Sequence, residues 1–286
     1  MLAQRIATAL VLLALLVPAL WSSSPWPFQG LTLVLVAVAG WEWARLSGVA
    51  HSGAVLCGAA LALACAAAAF VGWAVPAPAA VWIWAVWVWA VGGTLLLVIG
   101  PAGWQRLPAV LRLCIGLVAL WVAWLAIVQA HALGVPFLLS VFALVWTADI
   151  AAYAGGRAFG RRKLAPSISP GKSWEGALSA LLGVLLLAWG WTALDQLWFA
   201  DGPGLFGRLR AGFGLAGMVM ALVALTAFGV LGDLFESLAK RAAGVKDSSQ
   251  LLPGHGGVLD RIDALIPVFP LALALAGMAG LTGMPR

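Results

Sequence analysis

The chain has 286 residues, of which 64% are hydrophobic and only 9% charged, and its formal net charge is +6. A soluble domain normally carries about 25% charged residues, so the polar side chains here are too few to coat a water-soluble globule. The composition excludes a soluble protein. Because the cations lie between apolar segments, membrane topology and anionic lipid headgroups explain them better than nucleic-acid binding does.

Apolar runs of roughly 18–22 residues follow one another along the chain, and this length spans a hydrocarbon core of about 30 Å. A helix satisfies its own backbone hydrogen bonds in lipid, so the sequence predicts an all-α polytopic membrane protein with about nine transmembrane helices. We expect spans near residues 6–21, 28–46, 53–73, 79–99, 109–130, 134–153, 176–198, 212–232 and 264–282. A crowded tryptophan set is expected to be interfacial or lipid-facing; it comprises Trp82, Trp84, Trp87 and Trp89.

The distribution of lysine and arginine predicts the orientation. Nine spans put the termini on opposite sides, and with the N-terminus inside, 13 of the 16 cations lie on the inner side. Only Arg208, Arg210 and Arg286 remain outside, which favours a cytoplasmic N-terminus and an external C-terminus. With no repeat evident, residues 1–286 are expected to form one membrane domain, with N-terminal spans in 1–153 and a catalytic portion in 154–286.

Two polar segments, 154–175 and 233–263, interrupt the apolar pattern, and both are predicted to face the cytoplasm. Eight of the ten acidic residues lie on or near this inner face. The positive-inside rule does not call for carboxylates there. We therefore expect the chemistry of the protein at this face.

The second polar segment begins with a helical pattern. One face of that helix carries Asp233, Glu236, Ser237, Lys240 and Arg241. A solvated face held by i,i+4 ion pairs would explain Glu236 with Lys240. It explains Asp233 poorly, because a carboxylate where a membrane span ends is costly and usually functional. Gly244 is expected to end this helix.

A glycine-rich run follows, Pro253-Gly254-His255-Gly256-Gly257, whose backbone can approach a ligand closely and present amides to phosphate oxygens. Next come Asp260 and Asp263, one helical turn apart and just before the last span. Oxygen ligands with no cysteine and little histidine favour Mg²⁺. Carboxylates beside cations are typical of nucleotidyl or phosphoryl transfer.

Together these elements resemble the signature of the phosphatidate cytidylyltransferases, also called CDP-diacylglycerol synthases. The likeness covers about 27 residues at fixed spacing, from Ser237 to Asp263, and includes the pairs Lys240-Arg241 and Lys246-Asp247. Ala239 stands where the family usually has a larger aliphatic residue, on the apolar face of the helix.

The first polar segment resembles the same family. Gly171-Lys172-Ser173 ends like a P-loop, but Pro166 stands where that motif needs glycine, so a P-loop is excluded. The family instead carries an Asp–Ala–Tyr stretch, a Gly-Arg-x-Phe-Gly run and a Ser-Pro-x-Lys-[Ser/Thr]-Trp-Glu-Gly element. The matching residues are Asp149, Tyr153, Gly156, Arg157, Phe159, Gly160, Ser169, Pro170, Lys172, Ser173, Trp174, Glu175 and Gly176. The likeness is loose over spans two to five.

The resemblance implies an enzyme that transfers CMP from CTP to phosphatidic acid, giving CDP-diacylglycerol and pyrophosphate. It implies a multi-pass protein of the bacterial cytoplasmic (inner) membrane, with its active site at the cytoplasmic face. Mg²⁺ is the implied cofactor, and a second cation is left open. The implied partners are CTP, phosphatidic acid and the lipid bilayer, without nucleic acid; a homodimer is compatible with the resemblance.

The implied site residues form three sets. The metal set is Asp233 and Asp260, supported by Glu236, Asp263 and Asp149. The catalytic set is Lys240, Arg241, Lys246, Asp247, His255 and Arg261. The substrate-binding set is Arg157, Ser169, Lys172, Ser173, Ser237, Gly256 and Gly257.

Two other functions share part of this pattern. A CTP-using lipid kinase would need the same carboxylates and cations but would phosphorylate an alcohol and release CDP. A transporter would place its ionisable groups at the centres of its spans. The clustering of the carboxylates at one membrane face argues against a transporter.

Overall fold

The computed structural model describes residues 2–198, 202–254 and 256–280, and these are almost entirely helical, as predicted. The helices are α1 (Leu2–Leu20), α2 (Trp26–Leu46), α3 (His51–Phe70), α4 (Ala79–Trp87), α5 (Thr94–Arg106), α6 (Ala109–Ala132), α7 (Val135–Phe159), α8 (Trp174–Trp198), α9 (Leu205–Ala242), α10 (Leu259–Ile262) and α11 (Leu265–Met278). A π-helical turn, Val88–Gly93, joins α4 to α5. Two short strands, β1 (Lys163–Ala165) and β2 (Ser169–Ser173), lie between α7 and α8.

Seven helical segments of the described chain are long and apolar enough to cross a membrane. They are His51–Phe70, Ala79–Arg106, Ala109–Ala132, Val135–Phe159, Trp174–Ala193, Leu205–Ala242 and Leu259–Met278. The predicted spans near 6–21 and 28–46 are also helical, as α1 and α2, but these two helices are not among the seven. In α2 the side chains of Gln29, Glu42 and Arg45 interrupt the apolar sequence. The described chain is thus a multi-pass helical protein, and the number of nine transmembrane helices stays a prediction.

Helix α9 carries the membrane span onward into the polar segment. A kink at Gly214, where φ is +69°, divides the helix, and glycine tolerates this positive φ without strain. From Gly214 to Ala242 the helix is about 42 Å long at ~1.5 Å per residue, more than a hydrocarbon core requires. Its last turns therefore extend towards the polar face, and Gly244, at φ +71°, follows its end as predicted.

The pair α7 and α8 forms the most extensive helix–helix contact among the described helices. Small residues allow the two backbones to approach closely. Gly155 faces Ser179, and a Cβ at Gly183 would lie 2.8 Å from the Cβ of Ala151. This close pair forms one wall of the site described below.

The polar segment 154–175 contains more regular structure than the sequence indicated. Helix α7 continues to Phe159, and β1 pairs antiparallel with β2, with Lys163 opposite Ser173. The Glu175 carboxylate fixes the turn into this hairpin, since Oε2 accepts the amides of Arg161 and Arg162 at 3.1 and 3.2 Å.

An aromatic cluster ties the N-terminal helices to α9. The ring of Phe235 stacks on Trp43 at 5.3 Å and meets Trp89 and Trp104 edge-on at 5.2 and 5.6 Å. The expectation of a lipid-facing tryptophan set is therefore wrong for part of that set. Trp82 and Trp89 are buried, because α4 and the π-helical turn pack against α11 and α9, whereas Trp84 and Trp87 are exposed.

The ends of several helices meet at one face of the bundle. At this face Gln105 of α5 donates to the carbonyl of Ala242 at 2.6 Å, and Trp43 of α2 donates to that of Arg112 at 3.0 Å. Both polar segments emerge on this side, so the fold brings the predicted chemistry to one face.

Candidate active site

A cavity of about 470 Å³ lies between α7, α8, α9 and the hairpin. Its lining changes character along the helices. Towards the bundle interior the lining is apolar and includes Leu144, Val145, Ala148, Ala180, Leu225 and Val230. Towards the polar face it consists of Asp149, Tyr153, Arg157, Ser169, Lys172, Ser173 and Asp233. A cavity with one charged and one apolar end suits an amphiphilic ligand.

An ion pair joins the hairpin to α9 at the charged end. The Nζ of Lys172 lies 2.6 Å from Oδ2 of Asp233, and the two side chains are 23% and 33% exposed. Asp149 of α7 and Asp263 at the end of α10 lie close enough to interact electrostatically with Asp233. We call these three carboxylates with Lys172 the Asp233 cluster. Arg261 also lies close enough to Asp149 to interact with it electrostatically. The three acidic groups still outnumber the two nearby cations, so the cluster favours a further positive charge.

A second group of charges, the Lys240 cluster, lies next along α9. The Nζ of Lys240 is 2.5 Å from Oε2 of Glu236 and 2.6 Å from Oδ1 of Asp260. Glu236 is only 2% exposed and the Lys240 side chain 12%, so the reading of this pattern as a solvated helix face is wrong. The Glu236 Oε1 atom accepts no hydrogen bond from the described residues. A buried carboxyl oxygen left in this way is costly unless a ligand, an ion or a proton shared with the adjacent Asp260 carboxyl satisfies it.

Both carboxylate oxygens of Asp260 bind other groups of the protein. Oδ1 meets Lys240, while Oδ2 accepts hydrogen bonds from the amide of Ser248 at 3.0 Å, its hydroxyl at 2.8 Å and the amide of Gly257 at 2.8 Å. These bonds fold the loop between α9 and α10 back onto the end of α9. Asp260 thus organises that loop, a role that sequence reasoning did not assign to it.

The donor set fits a divalent cation that is shared with substrate. Among the described residues, no three acidic, histidine or cysteine side chains converge on one metal-sized point. Mg²⁺, however, usually binds one or two carboxylates and completes its shell with water and substrate phosphates. The excess of carboxylates in the Asp233 cluster and the unsatisfied Glu236 Oε1 meet that requirement.

The remaining predicted residues divide by location. The guanidinium of Arg157 lies 3.4 Å from the hydroxyl of Tyr153 at the cavity, and the hydroxyl of Ser237 lies 3.4 Å from Oδ1 of Asp233. Arg241 donates to the carbonyls of Ile168 and Val245, both at 3.3 Å, and so binds the hairpin turn to the end of α9.

Besides Gly257 and Asp260, four predicted positions lie in the described part of the loop between α9 and α10 or in α10 itself. Lys246, Asp247 and Arg261 are exposed, and Gly256, at φ +83°, accepts the amide of Leu252 at 2.9 Å. Lys246 and Asp247 thus lie on the exposed loop, whereas Arg261 is exposed but close enough to Asp149 of the Asp233 cluster to interact with it. His255 lies outside the described residues.

Sequence reasoning missed one residue near the site, Glu42 of α2. It is fully buried and accepts hydrogen bonds from Ser249 Oγ at 2.5 Å, the amide of Val258 at 3.0 Å and that of Leu259 at 2.7 Å. The available signal was a carboxylate inside an otherwise apolar predicted span, which is usually functional.

Comparison of the sequence with known proteins identifies its family. A model of the cytidylyltransferase family matches residues 3–278. The chain belongs to the cytidylyltransferase family. The similarity seen in the two polar segments is therefore confirmed as a family relationship, and the matched region also includes the N-terminal helices.

Several relatives are named phosphatidate cytidylyltransferase. The protein of that name from Pseudomonas aeruginosa is 38% identical over 98% of each chain. The one from Haemophilus influenzae is 50% identical over 137 residues, which are 48% of this chain and 44% of the relative. The one from Brucella suis is 44% identical over 137 residues, 46% of this chain and 44% of the relative. The last two matches span less than half of those relatives.

Proposed function

We propose that this cytidylyltransferase transfers CMP from CTP to phosphatidic acid, giving CDP-diacylglycerol and pyrophosphate in phospholipid synthesis. The Pseudomonas aeruginosa relative, which matches over 98% of its length, is named phosphatidate cytidylyltransferase. The observation that carries the proposal is the cavity with an apolar interior and the Lys172–Asp233 pair at its charged end. A lipid phosphate with acyl chains has this same division of charge.

Binding of the lipid follows from the lining. Its phosphate would meet Arg157 and Lys172, a guanidinium and an ammonium that both form strong charge-assisted hydrogen bonds with phosphate oxygens. The acyl chains would lie against the apolar lining, represented by Leu144 and Leu225, where they replace contacts with bilayer lipid. The reacting phosphate is thereby held near the Asp233 cluster.

The proposed reaction does not require a strong general base. A phosphate oxygen of phosphatidic acid attacks the α-phosphorus of CTP, a new P–O bond forms, and the bond to the bridging α–β oxygen breaks as pyrophosphate departs with the electron pair. A phosphomonoester is already anionic near neutral pH, with a second pKa of about 6. The main obstacles are repulsion between two anions and their alignment. Lys240 and the exposed Lys246 and Arg261 would stabilise the charge that develops on pyrophosphate.

Mg²⁺ is the cofactor that we propose. Asp233, with Asp149 and Asp263 beside it and Glu236 one turn further along α9, would hold the ion together with substrate phosphates. Asp260 would have to give up a contact to join them, since its oxygens bind Lys240 and the loop. When bound, Mg²⁺ neutralises phosphate charge in such sites and orients the reacting groups.

We infer that the protein lies in the inner membrane of a bacterium. Its cavity then opens to the cytoplasm, which supplies CTP. The asymmetry of 13 cations against 3 supports this, with the N-terminus on the same side as the cavity. Assembly as a homodimer stays a prediction.

The test uses the full chain purified in detergent, with CTP, Mg²⁺ and phosphatidic acid. We expect CDP-diacylglycerol and pyrophosphate to appear in equal amounts, activity to vanish with EDTA and to return with added Mg²⁺. A folded preparation that forms neither product, under conditions where a phosphatidate cytidylyltransferase control is active, contradicts the proposal.

A further inference from the structure

Helix α2 places one carboxylate, that of Glu42, beside the loop of the candidate site. Glu42 is completely buried, and among the described residues it makes no ion pair with a lysine or arginine. Its charge is met instead by hydrogen-bond donors of the loop more than 200 positions later, namely Ser249 Oγ, the amide of Val258 and the amide of Leu259. Hydrogen bonds to an ionised acceptor are roughly twice as strong as neutral ones.

The same loop is held from its other side by Asp260. The Ser248 hydroxyl lies between the two carboxylates, 2.8 Å from Oδ2 of Asp260 and 3.3 Å from Oε2 of Glu42. Gly257 passes so close that a Cβ there would collide with Ser248 Oγ and Glu42 Oε1, so this position requires glycine. Contacts therefore run without a break from Glu42 to Asp260 and on to Lys240.

Stability alone explains Glu42 poorly. Removing a carboxylate from water costs several kcal/mol, and an apolar replacement of similar volume often gives an equally stable protein. Other N-terminal contacts to this end of α9 are packing or single hydrogen bonds, such as Trp43 on Phe235 and Gln105 on Ala242. Glu42 differs because it fixes several donors of one loop at once, including both amides that precede Asp260 by one and two positions.

We propose that Glu42 is a positioning residue for the transfer reaction: it fixes the two ends of the loop, Ser248–Ser249 and Val258–Leu259, so that Asp260 keeps Lys240 directed towards the substrate phosphates. Helix α2 is in this way part of the active site although it lines none of the cavity. The inference rests on the proposed function for its kinetic consequence, whereas its structural consequence can be measured on the protein without substrate.

The test is Glu42→Gln in the full chain. Glutamine keeps the size of the Glu42 side chain but has only one acceptor oxygen. Its NH2 group would face one of the hydrogen-bond donors that the carboxylate now binds. We expect kcat to fall at least about tenfold with the KM for CTP changed less than about threefold. Hydrogen exchange followed by mass spectrometry should show the amides of Val258 and Leu259 exchanging at least about tenfold faster, with α9 unchanged.

The matched control is Ser140→Ala in α7. Ser140 is also fully buried, and its hydroxyl donates to the carbonyl of Phe137 at 2.7 Å and accepts the amide of Leu205 at 2.8 Å; it does not line the cavity. This variant should lower the melting temperature without changing kcat or exchange at Val258. If Glu42→Gln behaves like Ser140→Ala, Glu42 is only structural and the proposal is overturned.

A second variant tests the proposal if the Glu42→Gln protein accumulates too poorly to be measured. Ser249→Ala removes one donor and leaves the carboxylate intact, so exchange at Val258 should rise and kcat should fall about two- to threefold; no change in either overturns the proposal. Failure of the proposed function can be distinguished from failure of the proposed role of Glu42. In that case the wild type forms no CDP-diacylglycerol, while the exchange measurement still reports whether Glu42 holds the loop.

Discussion

Lys240 shows how burial changes the meaning of an ion pair. An exposed i,i+4 pair contributes about 0.3–0.5 kcal/mol, and on that basis its loss would be minor. Here Lys240 is largely buried between Glu236 and Asp260, so its removal leaves two carboxylates without their cation. We therefore expect Lys240→Met to lower kcat at least about tenfold, or roughly 1.4 kcal/mol, in steady-state assays of the folded fraction.

Lys163→Met is the control for that variant. Lys163 is exposed at the start of β1, so its loss should change activity less. Equal and small effects of the two substitutions would show that Lys240 contributes only as a structural charge.

The spacing of residues predicted which side chains share the α9 face but not what they contact. Asp233, Glu236 and Lys240 lie on one face because the helical period puts them there. In the structure Asp233 pairs with Lys172, whereas Asp260 pairs with Lys240. Both pairs depend on contacts between separate elements. Periodicity carries no information about such contacts, so it could not distinguish the surroundings of Asp233 from those of Asp260, and their shared role as metal ligands stays a prediction.

At the scale of elements, the contact between β2 and α9 closes the charged end of the cavity. Asp233→Asn keeps the shape of this contact but removes the charge that holds Lys172 and that we propose for Mg²⁺. Turnover should fall at least about a hundredfold, since several kcal/mol of transition-state stabilisation depend on that charge. Mg²⁺-dependent assays of protein extracted from membranes measure this.

Asp195→Asn provides the comparison on another part of the chain. Asp195 accepts the amide of Gly204 at 3.2 Å and lines none of the cavity, so its substitution should affect stability rather than turnover. Normal turnover of Asp233→Asn, with normal membrane insertion, would remove Asp233 from the site.

Elements were predictable to different degrees for physical reasons. The end of α9 could be predicted because Gly244 tolerates a positive φ. The hairpin could not, because strands of three and five residues give too short a period-2 pattern and β2 contains Pro170 and Gly171, which disfavour strands. The role of Glu42 depends on a partner more than 200 residues away, which no local pattern reveals.

At the scale of the whole molecule, composition predicted a helical membrane protein, whereas the number of crossings depends on α1 and α2. Orientation is testable with single cysteines at Ser167 and Leu251, both exposed, in a chain lacking Cys57, Cys65 and Cys114. Both should resist impermeant thiol reagents in intact cells and react once the membrane is opened. Labelling of both from outside would invert the orientation and separate the cavity from cytosolic CTP.

The central claim is that CMP, and not the terminal phosphate, is transferred to the lipid. The most direct measurement gives the purified protein phosphatidic acid and CTP labelled separately at the α- or the γ-phosphate, and follows each label. The account predicts that α-label enters the lipid as CDP-diacylglycerol while γ-label leaves as pyrophosphate, in equal amounts. A parallel reaction offers a lipid alcohol in place of phosphatidic acid. Entry of γ-label into that lipid with release of CDP, and no α-label in either lipid, would identify a lipid kinase and contradict the account.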